Sequence, residues 1–172
     1  MNVSKQIAGY LMSRSLVLVN VETATGGAIG MMLAEHAGAR RCLDLGYVAY
    51  TQAAFAALPG VRMPTLARHG AVSEAVAREA AQGALAQRAA PAQGACVALA
   101  CIGVLPDDEE PGAVVTATHC FAWACIHDGR VHCASETLTF SGKPHAIRRS
   151  IARRALLGVP RFLAGVGGAS GA

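Results

Sequence analysis

Four places in the sequence put reactive side chains together. The first is Glu22-Thr23-Ala24-Thr25-Gly26-Gly27, which follows the apolar run Leu16–Val21 and precedes a good helix former, Ala28–Ala37. Strand, small polar loop and helix start, in that order, suit an anion, because the unpaired amides of a helix N-terminus point at it. Tight strand-to-helix packing with no ligand explains the same glycines equally well. The second place is a pair of extended runs, Val114–Ile126 and Arg130–Phe140, joined through Asp128-Gly129. Asp-Gly between two such runs is a hairpin signal, so His127 opposes Arg130 and Cys125 opposes His132. Side chains two apart share a face, which puts His119, Phe121, Trp123, Cys125, His127 and His132 on one side. Cys125, His127 and His132 are ligand types that zinc accepts, but no fourth is evident. Trp123 among them points to packing against a helix or a partner, so neither a metal nor a cofactor is expected. The third is Cys101, at the C-terminal end of an apolar strand, where open α/β sheets place their ligands. No His or Lys lies near it in sequence, and a buried core thiol is the plainer reading. The fourth is the run Asp107, Asp108, Glu109 and Glu110, whose geometry nothing fixes; it reads as a solvated loop.

The elements that must position these groups alternate. Val3–Met12 has apolar residues at helical spacing, and Leu16–Val21 reads as a buried strand. A helix over Ala28–Ala37 and a strand over Leu43–Tyr50 follow. Pro59-Gly60 and Pro64 punctuate the next loop. Ser73 is the N-cap of a helix through Gln87, with Val76, Ala80, Ala84 and Leu85 as its apolar stripe. Ala95–Ile102 is a third buried strand, followed by the hairpin. Lys143-Pro144 opens the last helix, with Pro near its first position, and Ile147, Ile151, Ala155 and Leu156 face the core. Alternating strands and helices predict an α/β fold. It is a three-layer α/β/α sandwich around a five-strand mixed, mainly parallel sheet, with one antiparallel strand supplied by the C-terminal hairpin. Residues 1–164 make a single domain, and residues 165–172 are expected to be a disordered small-residue tail.

Composition narrows the partners. The chain has 172 residues, of which 53% are hydrophobic and 15% charged. So few charges leave apolar surface to cover, which predicts a homodimer or larger assembly. Aromatic residues are 5% and the net charge is +4, which argues against a single-strand stacking platform. Lys143, Arg148, Arg149, Arg153, Arg154 and Arg161 crowd the C-terminal stretch. A solvated helix face accounts for them better than nucleic acid does, so nucleic acid is not an expected partner. The N-terminus carries no signal-peptide pattern, and none of the six cysteines forms C-x-x-C, so a cytoplasmic location is expected. No apolar stretch is long enough for a membrane span.

Four segments in order carry a family resemblance. Leu66-Ala67-Arg68-His69-Gly70-Ala71-Val72-Ser73-Glu74 contains H-G-A-V-S at the entry to a helix. Glu22-Thr23-Ala24-Thr25-Gly26-Gly27 is similar to an E-S-C-T-G-G motif. The segment from Gly46 to Phe55 resembles G-x-V-x-Y-S-N-E-A-K. Phe140-Ser141-Gly142 with Arg148 resembles F-x-G-D-R-x-x-V-R. The chain thus resembles, over nearly its whole length, the C-terminal domain of the CinA (competence/damage-inducible) family. That resemblance implies the three-layer sandwich and hydrolysis of the amide of nicotinamide mononucleotide to nicotinate mononucleotide and ammonia. It also implies a Ser nucleophile from S-C-T-G-G beside the Lys of N-E-A-K; a desolvated, neutral Lys can take the Ser proton. The Thr of T-G-I-A-G-P and the Arg of G-D-R line the same site.

This chain departs from that pattern where the chemistry lies. The Ser is Thr23, which keeps a hydroxyl but adds a β-methyl that restricts it. The Lys is Phe55, the Thr is Ala100, and the Asp-Arg pair is Lys143-Pro144. Glu22, Thr25, Gly26, Gly27, Tyr50 and Arg148 are retained. Thr23 and Tyr50 are therefore the candidate catalytic residues, Thr25, Gly26, Gly27 and Arg148 the candidate ligand-binding ones, and Phe55, Ala100 and Pro144 the lost catalytic positions. Two functions follow. One is a family member without amidase activity that retains a nucleotide or phosphate ligand. The other is an active amidohydrolase working through Thr23, with His69 or Glu22 as base.

Overall fold

The computed structural model describes residues 2–88, 95–106 and 112–169. The chain runs α1 (Val3–Ser13), β1 (Leu16–Glu22), α2 (Ala28–Ala34), β2 (Leu43–Val48), α3 (Met63–His69), α4 (Glu74–Gln87), β3 (Ala95–Gly103), β4 (Val115–His127), β5 (Arg130–Gly142) and α5 (Pro144–Ala169). Short 3-10 helices at Ala39–Arg41 and Gln52–Ala57 flank β2. The five strands form one sheet in the order β2-β1-β3-β4-β5. β1 pairs in parallel with β2 and β3, while β4 runs antiparallel to both β3 and β5. The mixed sandwich expected from the sequence is therefore the fold, and β4 is its reversed strand.

Period-2 alternation sorts the strand residues between two layers. Leu18, Leu99, Cys101, Phe121 and Trp123 face the cluster built with α1, α2 and α5. Val19, Ala98, Ala100, Ala122 and Ala124 face the cluster built with α4. On that second face the alanines of the sheet meet Ala77, Ala80, Ala81 and Ala84 of α4. Small residues on both sides let helix and sheet approach closely, which accounts for much of the alanine content. Larger side chains fill the other face, where Trp123 donates its indole N–H to the Ala155 carbonyl of α5 at 3.0 Å. Trp123 thus packs against a helix.

The hairpin has the expected register, with His127 opposite Arg130 and Cys125 opposite His132. Its turn residues Asp128 and Gly129 both have positive φ, at 51° and 70°, the twist-matched geometry of a two-residue turn. Ser73 caps α4, accepting from the Val76 amide.

Four boundaries differ from expectation. The helix expected to reach Ala37 ends at Ala34, ahead of Gly38 in the left-handed region. The strand expected to reach Tyr50 ends at Val48. The loop around Pro64 holds α3, with Pro64 in its first turn, where a missing N–H breaks no helical bond. The last helix passes Pro160 and runs to Ala169 rather than giving way to coil at Gly165; Val166 on that stretch is 8% exposed and packs into the core. The acidic run Asp107, Asp108, Glu109 and Glu110 lies outside the described residues. Among the described residues no helix is long and apolar enough to cross a membrane.

Candidate functional site

The site forms above the C-terminal ends of β1 and β3, where two parallel strands deliver their following loops to one place. Three segments line a cleft of about 500 Å³ there: Ala24; Tyr50, Thr51 and Gln52 after β2; and Val104, Leu105 and Pro106 after β3. Pro144 and Arg148, from the first turns of α5, complete it. Arg148 donates from Nε to the Ala24 carbonyl at 3.1 Å and from Nη2 to the Tyr50 hydroxyl at 2.9 Å. Two of its five N–H donors are thus used, and among the described residues no carboxylate pairs with it. Tyr50 is 56% exposed, so its ring offers a face to whatever enters.

Thr23 is not part of that lining. It is fully buried, and its hydroxyl is enclosed by the end of β3. Oγ1 lies 2.8 Å from the Gly103 carbonyl and 3.0 Å from that of Cys101, and it accepts from the Gly103 amide at 2.9 Å. One proton serves two carbonyls and the oxygen is already an acceptor, so its hydrogen-bonding capacity is taken by backbone. A hydroxyl held in this way has no side-chain base among its partners.

Neither base suggested by the sequence reaches Thr23. His69 is exposed in the last turn of α3. Glu22 is fully buried, and four donors surround its carboxylate: Asn20 Nδ2 and Thr25 Oγ1, each at 2.7 Å, and the amides of Ile29 and Gly30, each at 3.0 Å. Glu22 therefore supplies the negative charge at the start of α2 from inside the protein. The hydroxyl of Thr25 and the amides of Ile29 and Gly30 are thus turned to Glu22 rather than to an outside anion of the kind expected at Thr25, Gly26 and Gly27. The two glycines are needed for shape. Gly26 and Gly27 have φ of 63° and 96°, a conformation that lets the chain turn from β1 into α2.

Of Phe55, Ala100 and Pro144, the first two lie in the core and the third lines the cleft. Phe55 is fully buried in the 3-10 helix after β2 and shares an apolar cluster with Val21, Ala49, Leu58 and Ala100. The two positions where the resemblance places a Lys and a Thr thus both belong to the α4-side core. Cys101 is fully buried as well, and burial, reinforced by the Glu22 carboxylate, pushes its thiol well above the ordinary range. A thiol, not a thiolate, is a poor nucleophile. The rings of His127 and His132 sit 6.1 Å apart, and among the described residues no three His, Cys, Asp or Glu side chains are grouped as a metal site needs.

Of the residues singled out from the sequence, the fold brings Tyr50, Pro144 and Arg148 together at the cleft and buries Thr23, Phe55 and Ala100 outside its lining. Sequence reasoning did not assign Thr51, Gln52, Val104, Leu105 or Pro106 to the lining. The signal that could have found the last three is their place directly after a parallel strand.

Comparison with known proteins bears on the family and the fold. The family model described as the CinA C-terminal domain matches residues 1–163. A putative competence-damage inducible protein of Symbiobacterium thermophilum is 37% identical over 93% of this chain, which spans 38% of that relative's length. The nicotinamide-nucleotide amidohydrolase PncC of Escherichia coli is 35% identical over 91% of this chain and 90% of its own. Among solved structures, a competence-damaged protein (CinA) superfamily protein from Klebsiella pneumoniae superposes with a TM-score of 0.75 at 27% identity, covering 95% of this chain and 96% of that one. The competence/damage inducible protein from Agrobacterium tumefaciens gives 0.67 at 28%, covering 93% of each.

Proposed function

Because the chain belongs to the CinA C-terminal domain family, we propose that it binds a nucleotide in the cleft between Tyr50 and Arg148 and does not hydrolyse its amide. The observation that carries this reading is the Thr23 hydroxyl, buried and engaged on three sides by the backbone of Cys101 and Gly103. Hydrolysis through Thr23 would require Oγ1 to leave those partners and meet a base, and Phe55 stands where the resemblance places one. Loss of a general base alone removes about 10²–10⁴-fold in rate.

Binding has its own support. Among the described residues, Arg148 has N–H donors at the cleft with no partner, and a guanidinium matches the geometry of a phosphate. The exposed ring of Tyr50 suits the face of an aromatic base. The printed activity of the Escherichia coli relative makes nicotinamide mononucleotide the probe to use. Calorimetric titration tests the reading. The wild type should bind nicotinamide mononucleotide and return it unchanged, while Arg148→Met should bind at least about 10-fold more weakly, as loss of a charge-assisted contact predicts. Equal binding by the two proteins would remove the cleft from the account. Exposed Met31, Val48 and Val131 support the expectation of a homodimer or larger assembly, which light scattering checks.

A further inference from the structure

His119 is a buried imidazole with no role in the site described so far. It lies on β4 opposite Gly103 of β3, is fully buried, and has no hydrogen-bond partner at either ring nitrogen among the described residues. Its ring fills the space that a side chain at position 103 would need: a Cβ there would stand 2.5 Å from Nε2. Phe140 meets it edge-on, with centroids 6.3 Å apart. Burial holds its pKa down at about 4, so the ring is neutral, with one N–H and one bare nitrogen. Two unpaired polar atoms in an apolar setting are unfavourable, and a phenylalanine would fill the same space without them. Such a group calls for an explanation beyond packing.

Two connections tie His119 to the cleft. Gly103 is the first. His119 rests against its backbone, Thr23 is hydrogen-bonded to its N–H and C=O, and the next residue, Val104, lines the cleft. Leu105 is the second. It lines the cleft and also packs, with Phe140, on the rim of the apolar cluster below.

We propose that His119 is a specificity-determining residue of this cleft, reached when residues 104–106 shift, and that it takes the uncharged carboxamide of a ligand whose phosphate Arg148 holds. The proposal rests on the reading of the cleft as a nucleotide site. A neutral imidazole offers one donor and one acceptor, which a carboxamide matches with its C=O and NH₂. A carboxylate would match the donor alone and set its charge against the bare nitrogen. The site then favours the amide over the acid, as a protein that binds without hydrolysing requires.

Calorimetry with three probes tests it: nicotinamide mononucleotide, nicotinate mononucleotide and ribose 5-phosphate. The wild type should prefer the amide to the acid by about 5–10-fold, the scale of one or two neutral hydrogen bonds. His119→Phe should lose that preference while binding ribose 5-phosphate as the wild type does. His119→Gln, which keeps a donor and an acceptor, should regain part of it. The ¹⁵N resonances of the His119 ring should move with the amide and stay in place with ribose 5-phosphate. Unchanged amide preference in His119→Phe, or ring resonances that ignore the amide, would overturn the proposal and leave His119 a core residue. If ribose 5-phosphate fails to bind the wild type, the nucleotide reading of the cleft fails and the proposal falls with it.

Discussion

Replacing Thr23 with valine keeps the shape of the side chain and removes only the hydroxyl. In the wild type that hydroxyl donates toward the Gly103 and Cys101 carbonyls, at 2.8 and 3.0 Å, and accepts from the Gly103 amide at 2.9 Å. Thr23→Val leaves the amide and at least one carbonyl without this partner in a site closed to solvent. Each orphaned buried group costs about 1–3 kcal/mol, so the pair should cost about 2–6 kcal/mol. For a domain of this size that corresponds to a fall in Tm of about 4–24 °C. Urea unfolding followed by circular dichroism measures it, with the slope unchanged and the midpoint lowered. Thr23→Ser is the control: it keeps the hydroxyl, loses one methyl, and should cost no more than about 1.5 kcal/mol. If Thr23→Val is within about 0.5 kcal/mol of the wild type, within the usual range for an uninvolved position, the hydroxyl is not held by the backbone of β3. Thr23 would then be free to act as a nucleophile.

Glu22→Gln sets an NH₂ group among four donors where a carboxylate accepted them all, and should lower unfolding stability by about 2–4 kcal/mol; a cost below about 1 kcal/mol would contradict the role given to Glu22 at α2. Phe55→Lys introduces the residue that the resemblance places there but buries an ammonium in an apolar cluster. It should destabilise by about 4 kcal/mol or more and release no ammonia; a stable, active variant would refute both parts. His119 titrates at about 4 in the fold against 6.5 for the free side chain. The folded value is the lower one, so the unfolded chain takes up its proton first. The associated stability is complete above pH 6.5 and is lost as pH falls toward 4, by about 3 kcal/mol. Urea midpoints between pH 7 and pH 4 should show that loss in the wild type but not in His119→Phe, and an equal loss in both would assign it to other groups.

Local signals with a single physical solution were legible in the sequence. Asp128-Gly129 specifies a two-residue turn, Ser73 specifies a helix start, and the apolar runs at β1 and β3 are too short and too continuous for anything but buried strands. Pro64 was misleading because proline stops a helix in its interior but is harmless in its first turn, which is where α3 places it. The stretch from Gly165 reads as coil on glycine content alone, yet burial of Val166 against the core extends α5 past it. At the site, replaced side chains were visible as letters, but where they went was not. That Phe55 and Ala100 lie in one cluster depends on the 3-10 helix after β2 meeting β3. The capture of the α2 amides by Glu22, and of the Thr23 hydroxyl by Gly103, are contacts set by tertiary distance, which residue type does not encode. Arg148 was singled out as a ligand-binding residue; its partner Tyr50 lies 98 positions away in the chain.

The domain keeps the family fold, and we propose that it lacks the means to attack an amide. Ammonia release from nicotinamide mononucleotide, followed with the purified wild-type chain at a concentration that saturates binding, tests it most directly. The expected rate is no greater than that of the nucleotide in buffer alone. Turnover near the roughly 1 s⁻¹ scale of ordinary enzymes, abolished by Thr23→Val, would contradict it.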